Sequence, residues 1–192
     1  LMSENDYLMG GPKGSSHGMK IWYPKEKRGR NMPVAGDDRR AMTMIAYVGG
    51  EYDVCGNKWY GSNVANRERG LPRSIHSITL NDPETGAPLA MCSGNLVSAM
   101  RTGAVPGLAT RYLKSDSASV VGIIGAGVIN RAALLAICES LEKVELVKIY
   151  NRTASKAEAL CRELSEETGI RMTAVSSAEE AIRESDVISV AT

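Results

Sequence analysis

The sequence predicts an α/β protein in which a mixed α/β region, residues 1–117, precedes a parallel sheet in residues 118–192. Two observations predict the parallel sheet. From Ser119 onward, short apolar runs alternate with helical patterns, and this alternation is typical of strands joined by crossover helices. The first of these runs also leads directly into a glycine-rich turn that opens a helix. We therefore expect the two parts of the chain to fold as separate domains.

The glycine-rich turn lies in the stretch SVVGIIGAGVINRAALLAI, residues 119–137. Gly125 permits a tight turn after the strand, and Gly127 lets the backbone approach a pyrophosphate. The free N–H groups and the positive end of the following helix would then bind the phosphates. Asn130 stands where this fingerprint has Gly or Ala, and we expect the departure to loosen helix–strand packing. The pattern predicts the first half of a Rossmann-type, dinucleotide-binding sheet that ends at its fourth strand.

The second strand of this sheet, residues 144–150, ends in Asn151-Arg152-Thr153. These residues follow the glycine turn by about twenty positions, where the ribose-recognising residue is expected. No acidic side chain stands there to accept a hydrogen bond from the ribose 2′-hydroxyl of NAD. Asn, Arg and Thr would instead donate to a 2′-phosphate, so the sequence favours NADP over NAD. An ordinary strand-end turn with a solvated arginine is the alternative interpretation.

Charge and composition argue against several classes of function. The formal net charge is +1, which gives no general attraction for nucleic acid or acidic membranes. Residues 11–40 hold eight Lys or Arg against three acids, but the segment lacks a nucleic-acid motif and is expected to be a solvated loop. No apolar run is long enough to span a bilayer. The four cysteines show no metal-binding or disulfide spacing, so we expect no metal and a reducing, cytoplasmic setting.

The first region is expected to hold two hairpins and a helix. The first hairpin would turn at Gly49-Gly50 and the second at a turn cluster in residues 81–86. A helix over residues 95–114 follows, in which Gly103 and Gly107 could permit close approach of another backbone. The predicted elements of this region are strands over residues 41–48, 51–59, 75–80 and 87–92, followed by that helix.

Two cations of the first region stand among small or apolar neighbours. Lys58 closes a strand face that also holds Tyr52 and Val54, where it would either reach solvent or hold a buried anion. Periodicity alone leaves these two alternatives even. Arg101 lies in the predicted helix between small and apolar residues, and this surrounding suggests an anionic ligand.

Four blocks of the sequence occur in the order and spacing of one known family. They read CGNKW at residues 55–59, NDPETGAPLA at 81–90, MRTGA at 100–104 and GIIGAG at 122–127. On these blocks the chain resembles the ornithine cyclodeaminase/mu-crystallin family over most of its length. The resemblance implies a substrate-binding and dimerisation domain in residues 1–117, an NAD(P)-binding Rossmann domain in residues 118–192, and a homodimer.

The resemblance also implies roles for individual residues. Lys58 and Arg101 would bind the carboxylate of a small amino-acid substrate, which resolves the alternatives for Lys58 in favour of anion binding. A further basic residue of the family matches Lys13, with Arg40 as its competitor. The implied cofactor contacts are Arg73 or Ser74, Arg101, Thr102, Gly125, Ala126, Gly127, Val128, Ile129, Asn151, Arg152, Thr153 and Thr192.

The family's catalytic aspartate lies in a Gly-Asp segment beyond the position of Thr192. Residues before Leu1 also belong to the family's first domain, so we expect the chain to be a fragment that is inactive alone. The leading functional hypothesis is an ornithine cyclodeaminase, which forms L-proline and ammonia from L-ornithine without net redox change. A ketimine or imine reductase, or an opine-type amino-acid dehydrogenase, is the alternative within the family. A non-catalytic, crystallin-like nucleotide-binding protein is the alternative of another class, and the presence of both Lys58 and Arg101 counts against it.

Overall fold

The computed structural model describes residues 7–9, 18–26 and 29–192. The chain divides into two compact units, which meet between Leu96 and Val97. Most of the predicted helix therefore groups with the second unit rather than the first. The functional boundary after residue 117 stays a prediction.

The first unit is built on a six-stranded sheet in which every described pairing is antiparallel. The strands follow the order β1-β3-β4-β5-β6, and β2 also pairs with β3. A 3-10 helix, Val64–Arg69, joins the fourth strand to the fifth. The strands are β1 (Tyr7–Met9), β2 (Met19–Trp22), β3 (Arg40–Val48), β4 (Val54–Ser62), β5 (Ser74–Asn81) and β6 (Pro88–Ser93).

Both predicted hairpins are present, but the connection between β3 and β4 is wider than predicted. Residues 49–53 all lie outside the strands, because Val48 pairs with Val54 and not with Glu51. Gly50 and Asp53 both have positive φ, of 64° and 39°, and the Tyr47 hydroxyl donates to Asp53 Oδ1 at 2.9 Å. This hydrogen bond closes the longer loop. Tyr52 therefore belongs to the loop, and its predicted place on the strand face of Lys58 is wrong.

The second unit holds a four-stranded sheet in the order β10-β7-β8-β9, with every pair parallel. This confirms the predicted first half of a Rossmann-type sheet. Because β7 has β8 on one side and β10 on the other, the strand order reverses at β7. The elements are α1 (Asn95–Leu113), β7 (Val120–Ile124), α2 (Val128–Ser140), β8 (Leu146–Tyr150), α3 (Ala154–Thr168), β9 (Met172–Ala174), α4 (Ala178–Ile182) and β10 (Val187–Val190).

The core of the second unit forms where the helices cover the parallel strands. Each fully buried Val, Leu or Ile side chain contributes about 1.5–3 kcal/mol relative to its exposed state. The Val, Leu and Ile side chains of this core that have no solvent exposure are Val121, Ile123, Leu134, Ile137, Val147, Ile149 and Leu164.

Helix α1 packs closely on α2 within this unit. A Cβ atom at Gly103 would lie 2.5 Å from the carbonyl carbon of Ala132, and one at Gly107 would lie 2.6 Å from Ala136 Cβ. Both distances are too short for a side chain. The predicted close approach of another backbone at these two glycines is confirmed.

Candidate functional site

The turn between β7 and α2 requires glycine at its first position. Gly125 has φ of 101°, and a Cβ atom there would lie 2.2 Å from the carbonyl oxygen of Ala191. Its N–H donates to the carbonyl of Tyr150 at 2.8 Å, which fixes the turn against the end of β8. The turn therefore lies among the carboxyl ends of three neighbouring parallel strands, where open α/β sheets bind their ligands.

Gly127 is the N-cap of α2 and faces open space. Its backbone is extended, with φ of −97° and ψ of 174°, and no atom lies within 4 Å of an added Cβ position. The first N–H groups of a helix have no acceptor inside the helix. The first turn of α2 also carries no acidic residue, and Val128 is exposed. The free N–H groups and the positive helix end can thus attract an anion such as a pyrophosphate.

Asn130 does not loosen the packing, so that prediction is wrong. The side chain is fully buried, and its amide nitrogen donates to the carbonyls of Ile124 and Gly125, at 2.8 Å each. The amide oxygen accepts from the hydroxyl of Ser189 at 2.9 Å. These three bonds fasten the helix start to β7, to the turn and to β10.

The end of β8 carries the three residues predicted to face the ribose. Asn151 Oδ1 accepts from the N–H of Ala126 at 3.1 Å, and its Nδ2 donates to the carbonyl of Thr153 at 2.9 Å. Asn151 therefore ties the glycine turn to the second strand, a role that the sequence did not indicate. Arg152 and Thr153 are exposed at the start of α3. Their predicted contacts with the cofactor stay predictions, as does that of Asn151.

Thr192 follows β10 and is exposed. The N–H of Ala191, just before it, donates to the carbonyl of Ile124 at 3.0 Å. This bond holds the end of β10 beside the end of β7, at the same edge of the sheet as the glycine turn. The predicted cofactor residues Gly125 to Ile129, Asn151 to Thr153 and Thr192 therefore share one edge of the second unit.

Lys58 lies half-buried in the middle of β4, in the first unit. In register it stands opposite Met44 on β3 and Ile78 on β5, so its immediate cross-strand neighbours are apolar. Tyr60 and His76 pair two residues further along the same face. Burial, and then the nearby charge of Lys58, lower the pKa of His76 below its usual value.

A polar cluster that the sequence did not reveal joins the start of β3, the end of β4 and the start of β5. Asp38 is ion-paired with Arg40 and, at 3.4 Å, with Arg73. It also accepts from the hydroxyl of Ser62. Asp38 has φ of 50°, which is strained for an aspartate. The cluster thus holds Arg73 against a fixed carboxylate.

Tyr60 lies at the centre of this cluster. Its hydroxyl accepts from Arg40 at 3.3 Å and from Ser74 Oγ at 3.2 Å. Burial by itself would raise the pKa of Tyr60, but hydrogen bonds with Ser62, Ser74 and Arg40 together with the Arg40 charge lower it below its usual value. Arg40 is also stacked over the rings of Trp22 and Tyr60, at 5.2 and 5.5 Å. The positive charge of Arg40 therefore already has partners within the protein. This makes Arg40 a weaker candidate than Lys13 for binding a substrate anion.

Arg101 lies in α1 and is exposed, whereas Lys58 belongs to the other unit. The hydroxyl of Thr102 donates to the carbonyl of Ser98 in its own helix at 2.7 Å. Lys13 lies outside the described residues. The roles predicted for these residues toward substrate and cofactor stay predictions.

Several further features concern the described part of the chain as a whole. Within residues 7–9, 18–26 and 29–192, no three His, Cys, Asp or Glu side chains are grouped so that they could hold a metal ion. Over the same residues, no helix is long and apolar enough to cross a membrane.

Two cysteines of the second unit have raised pKa values. Burial, together with the charge of Glu139 for Cys138 and of Glu158 for Cys161, raises the pKa of each thiol to about 11. Burial thus disfavours the thiolate, the reactive form, at both positions.

The chain matches the model of the ornithine cyclodeaminase/mu-crystallin family over residues 4–192. It is 32% identical, over 151 residues, to N-((2S)-2-amino-2-carboxyethyl)-L-glutamate dehydrogenase of Staphylococcus aureus, an alignment that covers 78% of this chain and 45% of that protein. It is also 31% identical, over 157 residues, to the ketimine reductase mu-crystallin of Rattus norvegicus, covering 82% of this chain and 48% of that protein.

Among solved structures, the fold is similar to that of Thermococcus litoralis Δ1-pyrroline-2-carboxylate reductase in complex with NADH and L-proline. The TM-score is 0.83 and the sequence identity 32%, and the match covers 100% of this chain and 53% of that one. The chain spans about half the length of the relatives it matches. From the family match and these likenesses, the chain belongs to the ornithine cyclodeaminase/mu-crystallin family.

Proposed function

We propose that the protein is an NAD(P)-dependent oxidoreductase that acts at the α-carbon of an amino or imino acid. The observation that carries this proposal is the turn between β7 and α2. Only glycine fits at Gly125, Gly127 faces open space, and the helix start offers unpaired N–H groups. A bound dinucleotide would supply or accept the hydride. The solved relative with NADH and L-proline supports both the cofactor class and the substrate class.

Within the family we favour a reductase or dehydrogenase over a cyclodeaminase. The relatives with the similarities reported above are named as a dehydrogenase and two reductases. One of them is itself a mu-crystallin named as a ketimine reductase, which counts against a purely non-catalytic role. Lys58, half-buried on β4, and Arg101, exposed on α1, are each proposed to bind the substrate carboxylate, the role that the family resemblance implies for both cations.

NADP is the proposed form of the cofactor. Arg152 and Thr153 lie exposed at the end of β8, and no acidic residue accompanies them there. The first turn of α3 also lacks an acid. A ribose 2′-phosphate would meet a cation and the positive end of a helix, whereas the 2′-hydroxyl of NAD would find no carboxylate acceptor.

The experiment that tests the reaction class compares two assays on the purified full-length protein. In the first, Δ1-pyrroline-2-carboxylate and NADPH are mixed, and the absorbance of reduced nicotinamide is followed. In the second, L-ornithine and a trace of NADP⁺ are mixed, and ammonia is followed together with that absorbance. Loss of NADPH in step with proline formation would support the reductase. Ammonia far in excess of the cofactor, without lasting cofactor reduction, would support the ornithine cyclodeaminase instead.

We also propose that the protein is a homodimer and that the first sheet supplies the interface. One face of this sheet carries large apolar side chains that are exposed on five different strands. Met19 and Met91, for example, are 74% and 75% exposed. Exposed large apolar side chains gathered on one face of a sheet indicate an interaction surface. We call it the apolar sheet face; its large members are Met19, Ile21, Ile45, Trp59, Ile75 and Met91.

A further inference from the structure

The side chain of Asn130 is the polar group buried most deeply at the proposed cofactor turn. It stands in the first turn of α2, at the position where a dinucleotide-binding fingerprint has Gly or Ala, and it has no solvent exposure. A buried amide is costly unless its donors and acceptor are all satisfied. Because burying this amide is costly, we expect Asn130 to have a role besides filling space at the turn.

The amide nitrogen of Asn130 covers two backbone carbonyls of the turn. It donates to the carbonyls of Ile124 and Gly125 at 2.8 Å each. The carbonyl of Ile124 also accepts from the N–H of Ala191, on the far side. These carbonyl oxygens carry partial negative charge, and the buried amide of Asn130 engages both of them in hydrogen bonds. An approaching phosphate then meets N–H groups and not carbonyl oxygens.

The amide oxygen of Asn130 makes a separate connection to the neighbouring strand. It accepts from the hydroxyl of Ser189 at 2.9 Å, and Ser189 is itself buried on β10. Ser189 stands in register with Ile123 of β7, at the place where the strand order of the sheet reverses. Ligands of open α/β sheets bind in the crevice at this switch point. Asn130 therefore joins the phosphate-facing turn to the strand on the other side of the crevice.

We infer that Asn130 and Ser189 form a positioning pair for the dinucleotide. Asn130 orients the glycine turn so that its N–H groups face the pyrophosphate, and Ser189 fixes the rotamer of Asn130 and its distance from β10. Neither side chain touches the cofactor in this arrangement. The inference rests on the proposed dinucleotide binding and adds a device that a Gly or Ala at this position does not provide.

The test is a titration of the whole chain with NADPH and NADH, followed by the fluorescence of the reduced nicotinamide. Asn130→Ala is the main variant because Ala is a residue that the fingerprint normally holds. We expect the dissociation constant to rise about tenfold, in line with the loss of several buried hydrogen bonds. Ser189→Ala should raise it less, and the double variant should bind no worse than Asn130→Ala alone.

A matched control separates positioning from stability. Leu164→Ala removes a fully buried side chain of α3, away from the turn, and lowers the melting temperature without changing the turn. We expect this variant to keep the dissociation constant of the unaltered chain at temperatures where it is folded. If Asn130→Ala lowers the melting temperature and leaves the dissociation constant unchanged, its role is structural and the inference is overturned.

Two further outcomes keep the test decisive. If Asn130→Ala does not fold, the comparison of Ser189→Ala with Ser189→Thr replaces it, because Thr keeps the hydroxyl donor. Weaker binding in Ser189→Ala that Ser189→Thr restores supports the pair, and equal binding in both variants overturns it. If the unaltered chain binds neither NADPH nor NADH, the proposed function itself fails, and that result is distinct from a variant that binds normally.

Discussion

The two units of this chain bury their apolar residues to very different extents. The second unit encloses a core in which seven Val, Leu and Ile side chains have no solvent exposure. In the first unit, Ala41 and Tyr60 are the buried hydrophobic residues among those described, and they remain 5% and 9% exposed. The sheet of the first unit instead exposes its apolar sheet face. A sheet covered by helices can be stable by itself, whereas a sheet with an exposed apolar face is suited to association.

The largest expected effect is a difference in the free energy of unfolding between a variant of the second unit and a variant of the first. Leu134→Ala removes a side chain with no exposure from the core of the second unit, and we expect it to lower the free energy of unfolding by about 2–5 kcal/mol. Ile45→Ala alters a residue of the apolar sheet face that is 58% exposed in the single chain, and about 0.5 kcal/mol or less is expected at protein concentrations low enough to dissociate the proposed dimer. Urea denaturation of each variant, at low and high protein concentration, measures both losses. A loss in Ile45→Ala that grows with protein concentration would show that association buries the apolar sheet face.

The next effect isolates the glycine turn within the second unit. Gly127→Val adds a side chain where no protein atom lies within 4 Å, so the fold should tolerate it. The same side chain would occupy the space in front of the helix start. We expect the affinity for NADPH to fall by about a hundredfold or more, equivalent to about 2.7 kcal/mol, with little change in melting temperature. Isothermal titration calorimetry measures the affinity, and normal binding would remove Gly127 from the cofactor site.

The apolar sheet face of the first unit is tested through association. Trp59 lies on this face and is 45% exposed. Trp59→Glu would bury a charge in a dimer interface and should dissociate the proposed dimer, since an unpaired buried charge is strongly unfavourable. Sedimentation velocity of the variant and of the unaltered protein gives the result. Lys20→Glu is a suitable control, because Lys20 is exposed on the opposite face of the same sheet. A monomeric unaltered protein would contradict the proposal.

A smaller effect concerns the choice of cofactor. Arg152→Asp replaces an exposed cation at the end of β8 by a carboxylate that can accept from a ribose 2′-hydroxyl. We expect the ratio of NADPH to NADH affinities to shift toward NADH by about tenfold or more, the size of a charge-assisted hydrogen bond. Titration with both cofactors measures this ratio. Arg162→Asp, in the exposed part of α3, controls for the change in net charge, and an unchanged ratio in Arg152→Asp would leave the preference unexplained.

The smallest effect is a pH dependence in the second unit. Asp186 precedes β10, and hydrogen bonds from the N–H groups of Ser119 and Val120, at 2.8 Å each, lower its pKa below the usual value. A carboxyl whose pKa is lower in the folded state stabilises the fold above its unfolded pKa, near 4, and loses this contribution as the pH falls through the folded pKa. Asp186→Asn should therefore weaken the decline of stability below about pH 4. Urea midpoints at several pH values measure it, and parallel curves would contradict the expectation.

The sequence predicted much of the second unit because its signals are local. The alternation of apolar runs, the glycines at 125 and 127 and the length of each helix all depend on residues close together in the chain. It also predicted both hairpins of the first unit, but neither strand β2, which lies in a segment expected to be a solvated loop, nor the wider loop at residues 49–53. That loop is closed by the bond between Tyr47 and Asp53, which pattern reasoning about a Gly-Gly pair does not reveal.

The side-chain partners of the site were much less predictable. Asn130 was expected to loosen the packing, yet its partner Ser189 lies 59 positions away in the sequence. Asn151 was considered as a cofactor ligand, and its bond to Ala126 joins positions 25 residues apart. The cluster of Asp38, Arg40 and Tyr60 likewise forms only when β3 and β4 pair.

The sequence by itself determined most of the strands and helices after residue 40, where the glycine turn lies and why glycine is required there. Backbone conformation and apolar periodicity decide these features over a few neighbouring residues. Only the tertiary structure decided what Asn130, Asn151 and Arg40 do, because a polar side chain takes its role from the donors and acceptors that folding brings to it. It also decided that one sheet keeps an apolar face exposed while the other is covered by helices.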